Sequence, residues 1–228
     1  VRRVLDKHGI DASVPIVAQI GRFDPWKGID RTIKAFKLAR SEQRCQLILA
    51  GGIATDDPEG IRVLQKVAEM AEGDEDIHIL NLPLDDRIAN WHEVNALQRA
   101  ASVIMQPSTR EGFGLVITEA LWKGKPVIGA DVGAIPLQIR SGVTGFFYGG
   151  AANTAKRIVS LLRNPDEGAK IGGHGREYVR EHFLMPMRVA DCLQGMQLAR
   201  KGLFRHDDCR DCIISFHPWY KLSKRGRG

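Results

Sequence analysis

Residues 102–129 read SVIMQPSTREGFGLVITEALWKGKPVIG and combine a strand, a loop with two glycines, a helix and a second strand. The apolar run at 102–106 predicts a buried strand, the stretch 115–123 predicts a helix, and 126–129 predicts the next strand. A strand, a loop and a helix in this order form the repeating unit of a parallel sheet. In such sheets ligands bind beyond the carboxyl ends of the strands, which is where the loop before this helix lies.

Strands and helices alternate through the rest of the chain. Strands are predicted at 16–20, 46–50 and 77–80, and helices at 30–40, 58–71, 93–100, 153–163, 166–182 and 186–201, with Asp57 as the expected N-cap of the helix at 58–71. Short apolar strands without polar alternation favour a parallel sheet that is covered on both faces. The fold class that we expect is therefore α/β, with a Rossmann-like parallel sheet and helices on both of its faces.

Composition narrows the class of protein. The chain has 228 residues, 43% hydrophobic and 26% charged, so it can bury a core, and it has no apolar run of the roughly 20 residues that span a bilayer. The net charge of +6 favours anionic partners. Residues 203–228 supply six Lys and Arg against three Asp, so half of this charge lies in the tail and the rest of the chain is only mildly basic. This distribution argues against nucleic acid as the partner. Four cysteines do not indicate a disulfide framework. We expect a cytoplasmic protein without a membrane span and, because the chain begins at Val1, a fragment of a longer one.

Two cations follow the first predicted strand. Residues 21–28 read GRFDPWKG, so Arg22 and Lys27 lie on a loop bracketed by glycines at the carboxyl end of that strand. Arg presents a planar fork of donors to phosphate oxygens, and Lys adds a mobile charge. Together they suit a pyrophosphate, including one whose negative charge grows as it leaves. The alternative is a solvated turn with two surface cations.

Two glutamates frame the start of the helix predicted at 115–123. Glu111 lies on the preceding loop and Glu119 one turn inside the helix, with seven residues between them. Free N–H groups at a helix start attract an anion, so each carboxylate could face hydroxyls on one side of that anion. A sugar nucleotide has this layout of sugar hydroxyls, pyrophosphate and ribose hydroxyls. The alternative is a cap-region acid and an ordinary exposed helix residue.

These segments carry a family resemblance. GRFDPWKG at 21–28, NALQRAASVIMQPSTREGFGLVITEALWKGKPVIGADVGAIPLQI at 95–139 and GVTGFF at 142–147 resemble the C-terminal nucleotide-binding domain of family 4 retaining glycosyltransferases of the GT-B fold, over about residues 14–200. Within that family, the sequences of these segments are most similar to those of trehalose-forming synthases and trehalose phosphorylases. The resemblance implies transfer of glucose from a donor such as UDP-, ADP- or GDP-glucose to a sugar acceptor, with glucose giving trehalose, and no metal or other cofactor.

The resemblance also implies a role for each matching residue. Arg22 and Lys27 would bind the phosphates of the donor. Glu111 would hold the hydroxyls of the donor sugar and Glu119 the ribose diol, while residues 81–84 would line the base. The implied donor-binding residues are Gly21, Arg22, Lys27, Asn81, Leu82, Glu111, Gly112, Phe113, Gly114, Leu115, Val116 and Glu119, those at 112–116 mainly through backbone N–H groups, and the catalytic candidates are Arg22, Lys27 and Glu111.

The expected organisation is a donor-binding domain at 1–182, a C-terminal helix at 183–202 and a flexible polar tail at 203–228. The tail contains an H-x2-C-x2-C-x4-H pattern, whose residue types suit zinc but whose spacing does not favour a zinc site. The expected partners are a nucleotide sugar, a sugar acceptor and an N-terminal GT-B domain, with a homodimer as an open candidate and no nucleic acid or membrane. Two alternatives remain: a trehalose phosphorylase, in which phosphate replaces the nucleotide, and a non-catalytic nucleotide-binding module.

Overall fold

The structure is a computed structural model that describes residues 1–53, 58–82 and 85–200. Asp57, the expected helix cap, and the Cys- and His-containing stretch 203–228 lie outside the described residues. Contacts divide the chain into two units, Val1–Val179 and Arg180–Gly228, and every site residue discussed below belongs to the first. The division expected from sequence, after 182 and after 202, stays a prediction.

The described residues form helices and strands that alternate as the sequence predicts. In chain order the elements are α1 (Arg2–Lys7), β1 (Ile16–Ile20), a 3₁₀ turn (Pro25–Lys27), α2 (Ile29–Glu42), β2 (Gln46–Gly51), α3 (Pro58–Ala71), β3 (Ile77–Asn81), α4 (Arg87–Ala100), β4 (Val103–Gln106), α5 (Leu115–Trp122), β5 (Val127–Gly129), α6 (Ile135–Gln138), β6 (Gly145–Phe147), α7 (Ala151–Arg163), α8 (Pro165–His182) and α9 (Met185–Arg200). Within these residues no helix is both long enough and apolar enough to cross a membrane.

The strands of the described part pair in parallel, in the order β3-β2-β1-β4-β5-β6. The register pairs Ile16 with Gln46 on one side of β1 and Ala18 with Ile104 on the other. The chain runs outward from β1 to β3 and then returns to place β4 beside β1. The loops after β1 and β4 therefore meet at the switch in strand order, where open parallel sheets bind ligands. The expected α/β parallel sheet is confirmed.

The core holds this edge of the sheet in place. Every residue of β1 and β2 is buried, and Phe36 of α2 packs in one cluster with Leu47 of β2 and Ile158 of α7. Burying a side chain of this size contributes about 1.5–3 kcal/mol. Because parallel crossovers are right-handed, α2 and α3 lie on one face of the sheet, and α4 and α5 lie on the other.

Helix α4 begins at Arg87, earlier than the start at Glu93 that the sequence predicts. Asp86 accepts hydrogen bonds from the N–H groups of Ile88 and Ala89 and so caps the first turn. Ile88 is 69% exposed, so the apolar periodicity that indicates the helix starts only after this turn. Elements α1, α6 and β6 were not predicted, because each is too short for periodicity to show.

Candidate functional site

An ion pair joins the loop after β1 to the loop after β4. The Nζ atom of Lys27 lies 2.7 Å from Oε2 of Glu111, and the two side chains are 22% and 12% exposed. The same carboxylate oxygen accepts a hydrogen bond from Nε2 of Gln106, at 3.2 Å, at the end of β4. The structure thus brings together two of the three catalytic candidates, which are far apart in sequence.

Backbone contacts fix the two loops against each other. The N–H of Thr109 donates to the carbonyl oxygen of Trp26 at 2.7 Å, and the Arg110 guanidinium lies 4.2 Å from the centre of the Trp26 ring. Gly28 has a φ of +64°, and a Cβ atom there would lie 2.2 Å from the carbonyl oxygen of Pro107. Glycine at 28 therefore permits the close approach of the two loops.

Arg22 lies beside the ion pair. Together with Gly21, Lys27 and Gln106 it lines a small cavity of about 10 Å³ under the first loop, which has room for about one water molecule. The two cations of the GRFDPWKG segment therefore share one small space at the switch in strand order. Two cations that line the same space can attract an anion such as a phosphate group.

The start of α5 presents backbone N–H groups without a side-chain cap. Its N-cap is Gly114, in the left-handed conformation at φ +82°, and this glycine has no side chain that could cap the first turn. The N–H groups of Leu115 and Val116 belong to that turn, where intrahelical acceptors are absent. A Cβ atom added to Gly112 would meet no atom within 4 Å, so the fold does not require glycine there. Such a position suits close contact with a ligand.

The remaining expected site residues lie on α5, on the loop before it and at the end of β3. Glu119 is exposed on α5, and its Oε2 accepts a hydrogen bond at 2.8 Å from Nε2 of Gln98. Phe113 is 39% exposed, and Asn81 is exposed at the end of β3. Leu82 is only 2% exposed, so its backbone rather than its side chain is available to a base. Pro83 and Leu84 lie outside the described residues.

Four buried glutamines contact the site, and the sequence interpretation did not identify them. Each is at most 4% exposed. Their amide groups donate to the Lys27 carbonyl (Gln19, 2.8 Å), to the Glu111 carboxylate (Gln106, 3.2 Å), to the Glu119 carboxylate (Gln98, 2.8 Å) and to the Phe113 carbonyl (Gln138). A polar residue inside an apolar run, as in IVAQI and SVIMQ, is the signal that could have found two of them.

The thiol of Cys45 and the phenol of Tyr178 are buried in this unit. Burial raises the pKa of Cys45 to about 11 and the pKa of Tyr178 to about 12, so both groups stay protonated at neutral pH. Within residues 1–53, 58–82 and 85–200 no three His, Cys, Asp or Glu side chains are grouped closely enough to hold a metal ion. The polar groups of the site are thus cations, carboxylates, amides and backbone N–H groups, which bind anions and hydroxyls.

Comparison with known proteins identifies the family. The sequence model described as glycosyl transferases group 1 matches residues 2–178, and the chain belongs to this family. It is 40% identical to a trehalose synthase of Pyrococcus horikoshii over 81% of this chain and 44% of that protein. It is 35% identical to a trehalose phosphorylase of Grifola frondosa over 72% of this chain and 24% of that protein. The chain therefore spans less than half the length of these relatives, and the family resemblance drawn from sequence is confirmed.

Solved structures agree with the fold. A sucrose-phosphate synthase from Thermosynechococcus elongatus aligns with a TM-score of 0.67 at 30% identity, over 89% of this chain and 49% of that chain. Anabaena HepE in complex with UDP-glucose aligns with a TM-score of 0.67 at 22% identity, over 85% of this chain and 52% of that chain. At this low identity, the second likeness shows the fold alone.

Proposed function

We propose that this chain is the donor-binding part of a retaining glycosyltransferase that moves glucose from a nucleoside-diphosphate glucose to a sugar acceptor. Glucose is the proposed acceptor and trehalose the proposed product. The observation that carries this proposal is the contact between Lys27 and Glu111 beside the uncapped start of α5, at the switch in strand order. The relatedness to trehalose synthases supports the choice of sugars.

The proposed mechanism uses the cations to stabilise the departing nucleotide. Arg22 and Lys27 bind the diphosphate, with the N–H groups at the start of α5 on its other side, and they offset the negative charge that grows as the glycosidic bond breaks. The Lys27 ammonium has three donors, so it can hold Glu111 and a phosphate oxygen together. Glu111 accepts from hydroxyls of the donor sugar and fixes the ring for attack.

The acceptor and the second domain belong to the same proposal. The solved relative with 30% identity is about twice the length of the aligned part, which supports a further domain that closes over the donor and supplies the acceptor site. A homodimer and a cytoplasmic location are further parts of the proposal. Light scattering on the full-length protein tests the dimer, since a monomeric mass contradicts it.

Calorimetric titration of the 228-residue chain with UDP, ADP, GDP and inorganic phosphate tests the donor class. We expect one nucleotide to bind more tightly than the other two. Inorganic phosphate should bind much more weakly than any of the three. Equal binding of phosphate and nucleotides contradicts the proposed donor, and binding of none contradicts the site as a whole. Transfer itself is tested with the full-length protein and the glucose conjugate of the preferred nucleotide.

A trehalose phosphorylase is the second candidate. The relatedness to the Grifola frondosa enzyme supports it, and the same cations would bind inorganic phosphate. Glu119 argues for the nucleotide, because a ribose contact has no use when inorganic phosphate replaces the nucleotide. Tight binding of phosphate together with no binding of UDP, ADP or GDP would favour the phosphorylase. Nucleotide binding without sugar transfer by the full-length protein would favour a non-catalytic nucleotide-binding module.

A further inference from the structure

We propose that Gln98 is a positioning residue that orients the Glu119 carboxylate toward the ribose hydroxyls and thereby sets the preference of the site for nucleotides over phosphate. The proposal rests on the proposed function, because it assumes that Glu119 contacts ribose. It adds a residue outside the expected donor-binding set, on a different helix from Glu119.

The geometry links a buried amide to an exposed carboxylate. Gln98 lies near the end of α4 and is 0% exposed, whereas Glu119 is exposed on α5. Nε2 of Gln98 donates to Oε2 of Glu119 at 2.8 Å. One carboxylate oxygen is thus held by a fixed donor from the interior. The other oxygen remains available to accept from a hydroxyl group.

Stability does not explain an amide at this position. The Oε1 atom of Gln98 is buried and has no hydrogen-bond partner in the described part of the chain. Burial of an unpaired amide oxygen is unfavourable, and an apolar side chain of similar size would avoid that penalty. The feature that methionine or leucine could not provide is the N–H that meets Glu119. We therefore assign the amide to orientation of the carboxylate.

The neutrality of this donor matters for the ligand. A cation in this place would compensate the charge of Glu119, as Lys27 does for Glu111. An amide orients the carboxylate and leaves its negative charge, which makes it a stronger acceptor for hydroxyl groups. The nearby ammonium of Lys123 lies 3.5 Å from the backbone oxygen of Glu119. Lys123 also attracts the charge of Glu119, but its hydrogen bond goes to the backbone, so it does not orient the carboxylate.

Calorimetric titration of the Gln98→Met chain tests the proposal. UDP, ADP and GDP are each compared with the 2′-deoxy form and with inorganic pyrophosphate. In the wild-type chain, loss of the 2′-hydroxyl should weaken binding of the preferred nucleotide at least about tenfold, since a hydrogen bond to a charged group is lost. In Gln98→Met the ratio of the affinities for the nucleotide and its 2′-deoxy form should fall to about threefold or less, because a freely rotating carboxylate holds the hydroxyl poorly. Pyrophosphate affinity should not change.

Gln46→Met is the matched control. Gln46 is also a buried glutamine, 4% exposed, but its amide donates to the backbone oxygen of Asp11 and not to a side chain of the site. This variant should keep the wild-type ratio between the two forms of the nucleotide. In a Glu119→Ala background, Gln98→Met should have no further effect on nucleotide affinity, since Gln98 acts through that carboxylate.

Each failure has its own meaning. If no nucleotide binds the wild-type chain, the proposed function is wrong. If nucleotides bind and the 2′-hydroxyl makes no difference, the donor site stands and the orienting role of Gln98 is overturned with the ribose contact. If Gln98→Met discriminates as well as wild type, only the role of Gln98 is overturned. A Gln98→Met chain that fails to fold while Gln46→Met folds also overturns the proposal, because the amide is then structural.

Discussion

Replacing Lys27 by Met should destabilise the chain and weaken nucleotide binding, because it removes the ammonium that pairs with Glu111 and that is proposed to bind the phosphates. The ammonium lies 2.7 Å from the Glu111 carboxylate, and both side chains are largely buried. Breaking a buried ion pair costs about 3–5 kcal/mol, and breaking an exposed one about 0–1 kcal/mol. Because Gln106 still donates to the carboxylate after the change, we expect a loss of about 2 kcal/mol in the free energy of unfolding.

A double-mutant cycle isolates the pair. Lys27→Met, Glu111→Gln and the double variant are unfolded in urea, and the free energies of unfolding are compared. We expect a coupling energy of about 1–2 kcal/mol between the two side chains. The control is Lys34 with Asp30, an i,i+4 pair on α2 at 3.2 Å whose side chains are 61% and 41% exposed. Its coupling should stay below about 0.5 kcal/mol.

The binding side of the same experiment uses the preferred nucleoside diphosphate. Loss of a charge-assisted hydrogen bond to phosphate should weaken binding by about 10- to 100-fold in Lys27→Met. Lys34→Met should bind as wild type does, since Lys34 lies on the exposed face of α2. A coupling energy no larger than that of the control pair, with unchanged nucleotide affinity, would refute the reasoning.

Two further predictions concern the replacement of glycines near the site and the dependence of stability on pH. Gly112→Ala should fold with unchanged stability, because its new methyl group meets no protein atom within 4 Å. It should bind nucleotide on the order of tenfold less tightly, because the methyl group occupies space proposed for the ligand. Gly133→Ala should instead lower the melting temperature, since its φ is +57° and its Cβ atom would lie 1.8 Å from a backbone oxygen. Burial raises the pKa of Glu93, but hydrogen bonds from Lys7 and His8 outweigh burial and leave the pKa below its ordinary value of 4.5. The stabilisation that ionised Glu93 gives the fold is therefore complete above pH 4.5 and is lost as the pH falls through the lowered pKa. Acid titration of the melting temperature should show a weaker decline in Glu93→Gln, and an unchanged decline would contradict this assignment.

Much of the candidate site could be predicted from local patterns. The loop GRFDPWKG and the helix start at Leu115 were located by the end of an apolar strand and by glycine, and both are where the sequence predicts. The buried glutamines could not be assigned to the site in the same way. Gln98 is one polar residue within a helical stretch, and its contact with Glu119 depends on how α4 and α5 pack on the sheet.

The sequence by itself determined the alternation of strands and helices, the parallel character of the sheet and the loops that carry charge. These features depend on apolar periodicity, glycine and capping, which act over a few residues. Only the tertiary structure decided that β4 lies beside β1, so that Lys27 meets Glu111 across 84 residues of chain. It also decided which polar side chains are buried against the site. Strand order and burial arise from contacts between distant segments, and no local pattern encodes them.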